Sequence, residues 1–578
     1  MTARTADPGV AARETGRLRV VLCWHLHQPC YRDLASGEFV LPWVYLYALR
    51  DYGELAHHFE MVPGATAVVS VSPLLLEQLD AYVAALAGWL STGRTIPDRL
   101  LAALADGVPS DPADWAFLVR MCLAASPERA GAASRPFRAL LKRARRWCAG
   151  ISSGVRPAGP TDEFDAGDLE DLVVWCHLLS CGESLRRGDS RIAGLTTRAG
   201  GFTAFNRRTL VEAIYDALGG LVPRFRRLLG NGQIELAVSP WGHPVVPLLL
   251  DVGAPCPSDP GAVLPEQATY PGGSGRARWH LARAVQAFTR TFGVRPSGCW
   301  PANGALDMGT AALLETFGFS WCASGADALR STLEPVTAVL DPSPAHRPWG
   351  IAGNRLGCFF GDETLAALLT TVPAAGAGAA VAEGVVARLE DLARGYAGDP
   401  ARIVSIVVGA EQPWAEASDD RPLCLSTLCR RLADHPLVEL TTFSAALAAI
   451  PGRLALVGLA AGSARRERFR EWIGSTAKDR VWELLCEAKR VFDQVVVEGN
   501  LEEGRQLAAE YQLGVLEGSD WATWVDAGHD EDSVASVDAL YRRHLGNLYA
   551  LLGEAAPSDL GLTIAARMVG PASLARRG

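Results

Sequence analysis

The stretch Arg19-Val20-Val21-Leu22-Cys23-Trp24-His25-Leu26-His27-Gln28-Pro29 begins as an apolar run and ends in a dense polar and aromatic cluster. Its first part, residues 19–23, does not alternate polar with apolar, which is the pattern of a strand covered on both faces. Similar runs lie at residues 67–71, 234–238, 320–323 and 403–408, with helix-length sequence between them. Buried strands joined by helical crossovers predict an α/β fold with a parallel sheet, open or closed into a barrel.

Outward from these runs the pattern changes twice. Residues of about 96–200 read as a helical insertion, with a basic run Lys142-Arg143-Ala144-Arg145-Arg146 and a Gly/Pro-rich joint between Gly154 and Pro160. The basic run is expected to be a solvated helix face. After Pro451 strands are expected to stop. Val481, Leu484, Leu485, Ala488, Val491, Phe492 and Val495 share one helical face, as do Val537, Leu540, Tyr541, Leu545, Leu548 and Leu552. Residues 453–578 are therefore expected to form a helical bundle, 19–452 the sheet domain, and 1–18 a disordered tail.

Composition narrows the function. The 578 residues are 49% hydrophobic and carry a net charge of −9, which argues against a nucleic-acid partner. No apolar run suits a leader or a membrane span, and the 13 cysteines include no C-x-x-C pair, so a cytoplasmic protein is expected. Sixteen Trp against 11 Tyr is a surplus that suits large cores or flat apolar ligands such as sugar rings.

Chemistry in such folds gathers where strands exit at their carboxyl ends. Four exits here are unusually rich: Trp24-His25-Leu26-His27-Gln28-Pro29, Ser239-Pro240-Trp241-Gly242-His243-Pro244, Gly298-Cys299-Trp300-Pro301-Ala302-Asn303-Gly304 and Gly409-Ala410-Glu411-Gln412-Pro413-Trp414. Indoles stack on pyranose faces, and His, Gln and Asn bond hydroxyls, so a carbohydrate cleft follows. Zinc on His25, His27, His243 and an acid is the competing reading, unsupported by any second histidine pair. Each residue also has a purely structural reading: His27 and His243 as loop-holding histidines, Trp300 and Trp414 as core plugs, Glu235 as an interior hydrogen-bonding group.

At these clusters the sequence closely resembles glycoside hydrolase family 57, in its α-amylase or α-mannosidase-like branch. The blocks are His27-Gln28-Pro29-Cys30-Tyr31-Arg32-Asp33, Leu41-Pro42-Trp43-Val44, Gly232-Gln233-Ile234-Glu235, His243-Pro244, Tyr270-Pro271-Gly272-Gly273, Trp472-Ile473-Gly474, Lys478-Asp479-Arg480-Val481-Trp482 and Gly518-Ser519-Asp520-Trp521. The resemblance spans about residues 19–552. It implies an incomplete (β/α)7 barrel related to the TIM barrel, with a helical C-terminal domain. It also implies α-glucan or oligosaccharide ligands, and no metal or organic cofactor. His27, Gln28, Trp241, His243, Trp300, Trp414, Asp520 and Trp521 are the ligand-binding residues it points to.

Retaining glycosidases need two carboxyl groups roughly 5–5.5 Å apart. The family's nucleophile is the Glu of W-P-x-E-G, and this chain has Asn303 there. The family's acid is the Asp opening D-G-E-N-x-W, and this chain has Gly409. An amide is a poor nucleophile and glycine offers no proton. The altered block Phe359-Phe360-Gly361-Asp362 and the stretch Ala522-Thr523-Trp524 depart from the family as well. Glu411 is the first substitute carboxylate to consider, then Asp307 and Asp362. Three readings follow: a non-hydrolytic glucan-binding homologue; an active hydrolase, glucanotransferase or branching enzyme with substitute groups; and a non-catalytic scaffold.

Overall fold

A computed structural model describes residues 16–564 except 126–134, 153–159, 258, 260, 267–268, 335–342, 371–377, 412–420, 451, 465–467, 500 and 526–530. Ten strands occur among them: β1 (Leu18–Leu26), β2 (Ala67–Val71), β3 (Ile234–Val238), β4 (Gly298–Cys299), β5 (Trp321–Gly325), β6 (Trp349–Ile351), β7 (Gly357–Gly361), β8 (Ile403–Gly409), β9 (Val438–Leu440) and β10 (Leu454–Leu456). The strands β1, β2, β3, β4, β5, β7 and β8 are parallel neighbours in that order, and β8 returns to β1 over seven residue pairs from Arg19–Ile403 to His25–Gly409. Gly361 pairing with Ser405 joins β7 to β8 and closes a seven-stranded barrel ringed by helices.

All five apolar runs are barrel strands. The barrel strands that periodicity did not mark, β4 and β7, are two residues long and glycine-flanked, respectively, too short or too small for a pattern to register. The expectation that strands end at Pro451 is corrected by β10, which pairs with β6 at Leu454–Trp349 to Leu456–Ile351. Leu454 is half exposed because β10 is a sheet edge outside the barrel, so burial left no signature there.

Odd-numbered residues of β1 face inward. Val21 and Cys23 meet Val68, Ala237, Ala323, Phe359, Ile403 and Trp321, and Phe443 from the helix Phe443–Ala449 plugs this interior. Glu235 lies inside too, accepting from Trp321 Nε1 at 2.7 Å and from the Ser444 amide at 3.0 Å, so it is the interior hydrogen-bonding group and not a catalytic one. Gly298 makes this packing possible, since a Cβ there would stand 1.8 Å from Trp321 Cε2.

The described residues between 96 and 201 form helices and no strand, and Lys142, Arg145 and Arg146 are exposed on one of them, Arg135–Ser152. In the C-terminal region the helices Thr476–Glu498 and Glu531–Leu552 bury the predicted faces, with Val491 only partly covered. No helix of the described residues is long and apolar enough to cross a membrane.

Candidate active site

A cleft of about 2030 Å³ opens at the carboxyl ends of the barrel strands, walled by the helical insertion on one side and the C-terminal helices on another. His25, His27, Gln28, His243, Trp300, Asn303, Gly409, Glu411, Asp520 and Trp521 all line it. His25 at the end of β1 and His27 just beyond it are two residues apart and so lie on the same side of an extended segment.

Three histidines form the floor. His27 and His243 stack with centroids 3.8 Å apart and planes 18° from parallel. Nε2 of His25 lies 3.0 Å from Nε2 of His243, so one of the two rings donates a hydrogen bond to the other. Ser70 Oγ is 3.3 Å from His25 Nδ1 and Ser519 Oγ is 3.0 Å from His243 Nδ1, which makes a hydrogen-bonded chain across β1, β2, β3 and the C-terminal region. Burial, and then the neighbouring His27, hold His25 well below the ordinary imidazole range, so it is neutral. His27 Nε2 is 2.9 Å from Asp520 Oδ2.

His27, His243 and Asp520 bring three ligand atoms within 4.8 Å of one another. The stacked imidazoles, however, aim their lone pairs in nearly parallel planes, and one ion cannot lie in both. In this arrangement the trio suits hydroxyl groups better than a metal ion.

Glu411 is half-buried and bound. Its Oε1 accepts from the His27 amide at 3.1 Å and from the Tyr52 hydroxyl, while burial raises its pKa to about 7. Tyr52 ends a π-helical turn, Ala48–Tyr52, of the kind often found beside functional sites. The carboxyl therefore ties the β8 exit to the β1 exit.

The C-terminal region builds the site from behind. Glu517 is fully buried and receives Arg276 Nε at 2.7 Å, Arg276 Nη2 at 2.8 Å, the Tyr270 hydroxyl and His280 Nε2 at 2.7 Å. Nδ1 of His280 accepts from the Gly242 amide at 3.1 Å, which fixes its tautomer as Nε2–H. Two residues on, the Ser519 amide donates to the His243 carbonyl at 3.1 Å. A Cβ on Gly242 would lie 2.6 Å from the Gly514 carbonyl oxygen, so this loop and the helical region fit only through glycine.

Among the described residues only His243 (φ 57°) and Asn303 (φ 48°) are non-glycines with positive φ, and both line the cleft. Such conformations cost energy and collect at functional sites. Asn tolerates the left-handed region better than most residues. The Asn303 carbonyl accepts from the Ala464 amide at 2.9 Å, and Leu306 and Gly462 exchange backbone bonds at 2.9 and 3.0 Å. This segment after β10 reaches the barrel mouth, and no sequence motif announced it. Gly409 pairs with His25 and shares its inward side of the barrel wall.

Several expected groups stand elsewhere. Trp241 is fully buried outside the cleft, wedged against Trp279 and Tyr511 with its Nε1 donating to Glu77 at 3.2 Å, and so offers no face to a ligand. Trp24 is buried on the outward side of β1. Trp300 and Trp521 line the cleft but are only 4% and 2% exposed, and Trp521 Nε1 donates to the Val515 carbonyl. Trp414 lies outside the described residues. Asp307 caps the helix Met308–Thr316 through the Thr310 amide, and Asp362 bonds His346 at 2.9 Å and the Leu365 amide, so neither carboxylate is in the cleft.

Comparison with known proteins places this geometry. Among solved structures, a branching enzyme from Thermococcus kodakaraensis in complex with glucose aligns at TM-score 0.56 and 16% identity, over 92% of this chain and 90% of that one. A branching enzyme from Pyrococcus horikoshii aligns at 0.57 and 13%, over 93% and 90%. An α-amylase from Thermotoga maritima aligns at 0.56 and 12%, over 95% and 97%. At these identities the likeness is one of fold. No curated protein sequence matches significantly. The family model for glycosyl hydrolase family 57 matches residues 21–456, from the first barrel strand to the end of β10, and the chain belongs to that family.

Proposed function

We propose that this member of the family binds an α-glucan or α-linked oligosaccharide in the barrel cleft, and that its hydrolysis by the two-carboxylate route is absent or strongly impaired. The observation that carries this reading is the pairing of Asn303 and Gly409. Both line the cleft, at the two positions to which the family resemblance assigns nucleophile and acid, while the surrounding His27, His243 and Asp520 remain assembled for hydroxyl recognition. Loss of groups that act as a unit leaves binding and little turnover. The 13 free cysteines support a cytoplasmic setting.

The second reading, an active hydrolase, transferase or branching enzyme, draws on Glu411. It lines the cleft and, with a pKa of about 7, is half protonated near neutrality, as a general acid requires. Against this, one of its oxygens already serves the His27 amide and Tyr52.

Affinity electrophoresis on glycogen, amylose and maltodextrins tests the first reading, alongside a sensitive assay for reducing ends and chain transfer. Retarded migration without turnover is expected. Unchanged mobility on all three polymers rejects glucan binding, and turnover abolished by Glu411→Gln establishes the second reading instead.

A further inference from the structure

Besides the barrel mouth, the cleft has a wall built by helices. Trp24, Trp241 and Trp300 at the strand exits have almost no open surface. On the insertion side, by contrast, Trp43, Tyr47 and Phe117 are only partly buried where they line the cleft. Trp43 and Tyr47 lie on the helix Trp43–Tyr47 with centroids 6.4 Å apart, and Phe117 lies on the insertion helix Pro112–Ala125. Each ring group carries a guanidinium. Arg50 sits 4.6 Å over Tyr47 and is anchored by Asp51; Arg99 sits 4.0 Å over Phe117 and is anchored by Asp114; Arg120, one helical turn from Phe117, is exposed in the same cleft.

Partly open aromatic rings, two of them backed on one face by a guanidinium and with Arg120 beside them, offer the apolar surface and the donors that match the C–H face and hydroxyl rim of a pyranose. At about 2030 Å³ the cleft is also about twice the upper end of ordinary small-ligand pockets, which favours an extended ligand. We infer that the wall formed by Trp43, Tyr47 and Phe117 is a distal sugar-binding surface, so that the cleft selects long glucan chains over short oligosaccharides. This rests on the glucan reading above and adds the length of chain that is recognised.

Titration calorimetry with maltotriose, maltoheptaose and soluble amylose, on the full chain and on Phe117→Ala, Phe117→Tyr and Arg120→Ser, tests it. The long ligands are expected to bind at least about tenfold more tightly than maltotriose, as one added stacking contact would give. Phe117→Ala and Arg120→Ser should reduce that advantage while leaving maltotriose unchanged, and Phe117→Tyr should keep it. Arg120 is exposed, so its variant separates recognition from folding. Equal affinity at every length, or a length preference untouched by both truncations, overturns the distal surface and leaves the glucan reading standing. Failure of all three ligands to bind overturns both.

Discussion

Replacing Glu517 by Gln keeps the shape of a side chain that has no solvent exposure and removes its charge. Burial alone would raise the carboxyl's pKa, but Arg276 and then His280 outweigh it and hold it at about 2, against an ordinary 4.5. A shift of that size corresponds to roughly 3 kcal/mol. Leaving the nearly buried Arg276 without its counter-charge gives a similar figure, about 3–5 kcal/mol, from the behaviour of broken buried pairs. The stabilisation is fully present above pH 4.5 and is lost as pH falls through about 2. Urea unfolding followed by tryptophan fluorescence should therefore show Glu517→Gln less stable by about 3 kcal/mol at pH 7, with the gap to wild type narrowing below pH 4.5. Because His280 holds the Gly242 amide beside His243, glucan affinity should fall too. A loss under about 1 kcal/mol, or a gap that does not change with pH, would refute the placement of an ionised Glu517 at the centre of this network.

Glu411 predicts the opposite slope: its pKa is raised to about 7, so the stability it lends is complete below pH 4.5 and fades as pH rises through 7, and Glu411→Gln should flatten that decline in thermal melts. Gly298→Ala drives a methyl into Trp321, and circular dichroism should show loss of the folded barrel or destabilisation by about 3 kcal/mol or more. Asn303→Glu with Gly409→Asp should restore measurable glycosidase activity on maltooligosaccharides, at a stability cost of about 1–2 kcal/mol for a Glu at φ 48°. Activity no higher than wild type in a variant whose crystal structure shows both carboxylates about 5–5.5 Å apart would rule out their loss as the cause of inactivity.

The sequence by itself determined the barrel's longest strands, because residues 19–23, 67–71, 234–238 and 403–408 are covered on both faces and so are apolar without alternation. It also determined which loops meet, since strand exits of a parallel barrel share one end: His27, His243, Asn303, Gly409 and Glu411 do line one cleft. Helical periodicity located the faces of the C-terminal helices. What the sequence could not decide was the direction in which an aromatic points. Trp24 and Trp241 stand at strand exits like Trp300, yet a one-residue step along a strand or a turn in a loop sends them into helix packing. Nor could it show the left-handed backbone at His243 and Asn303, the hydrogen bond between His25 and His243, or Glu517 bracing the loop from more than two hundred residues away. Those features depend on distances between segments remote in the chain, and only the closed barrel with its docked helices sets them. The open aromatic faces lie on the helical wall for the same reason: there, unlike in the barrel, nothing packs over them completely.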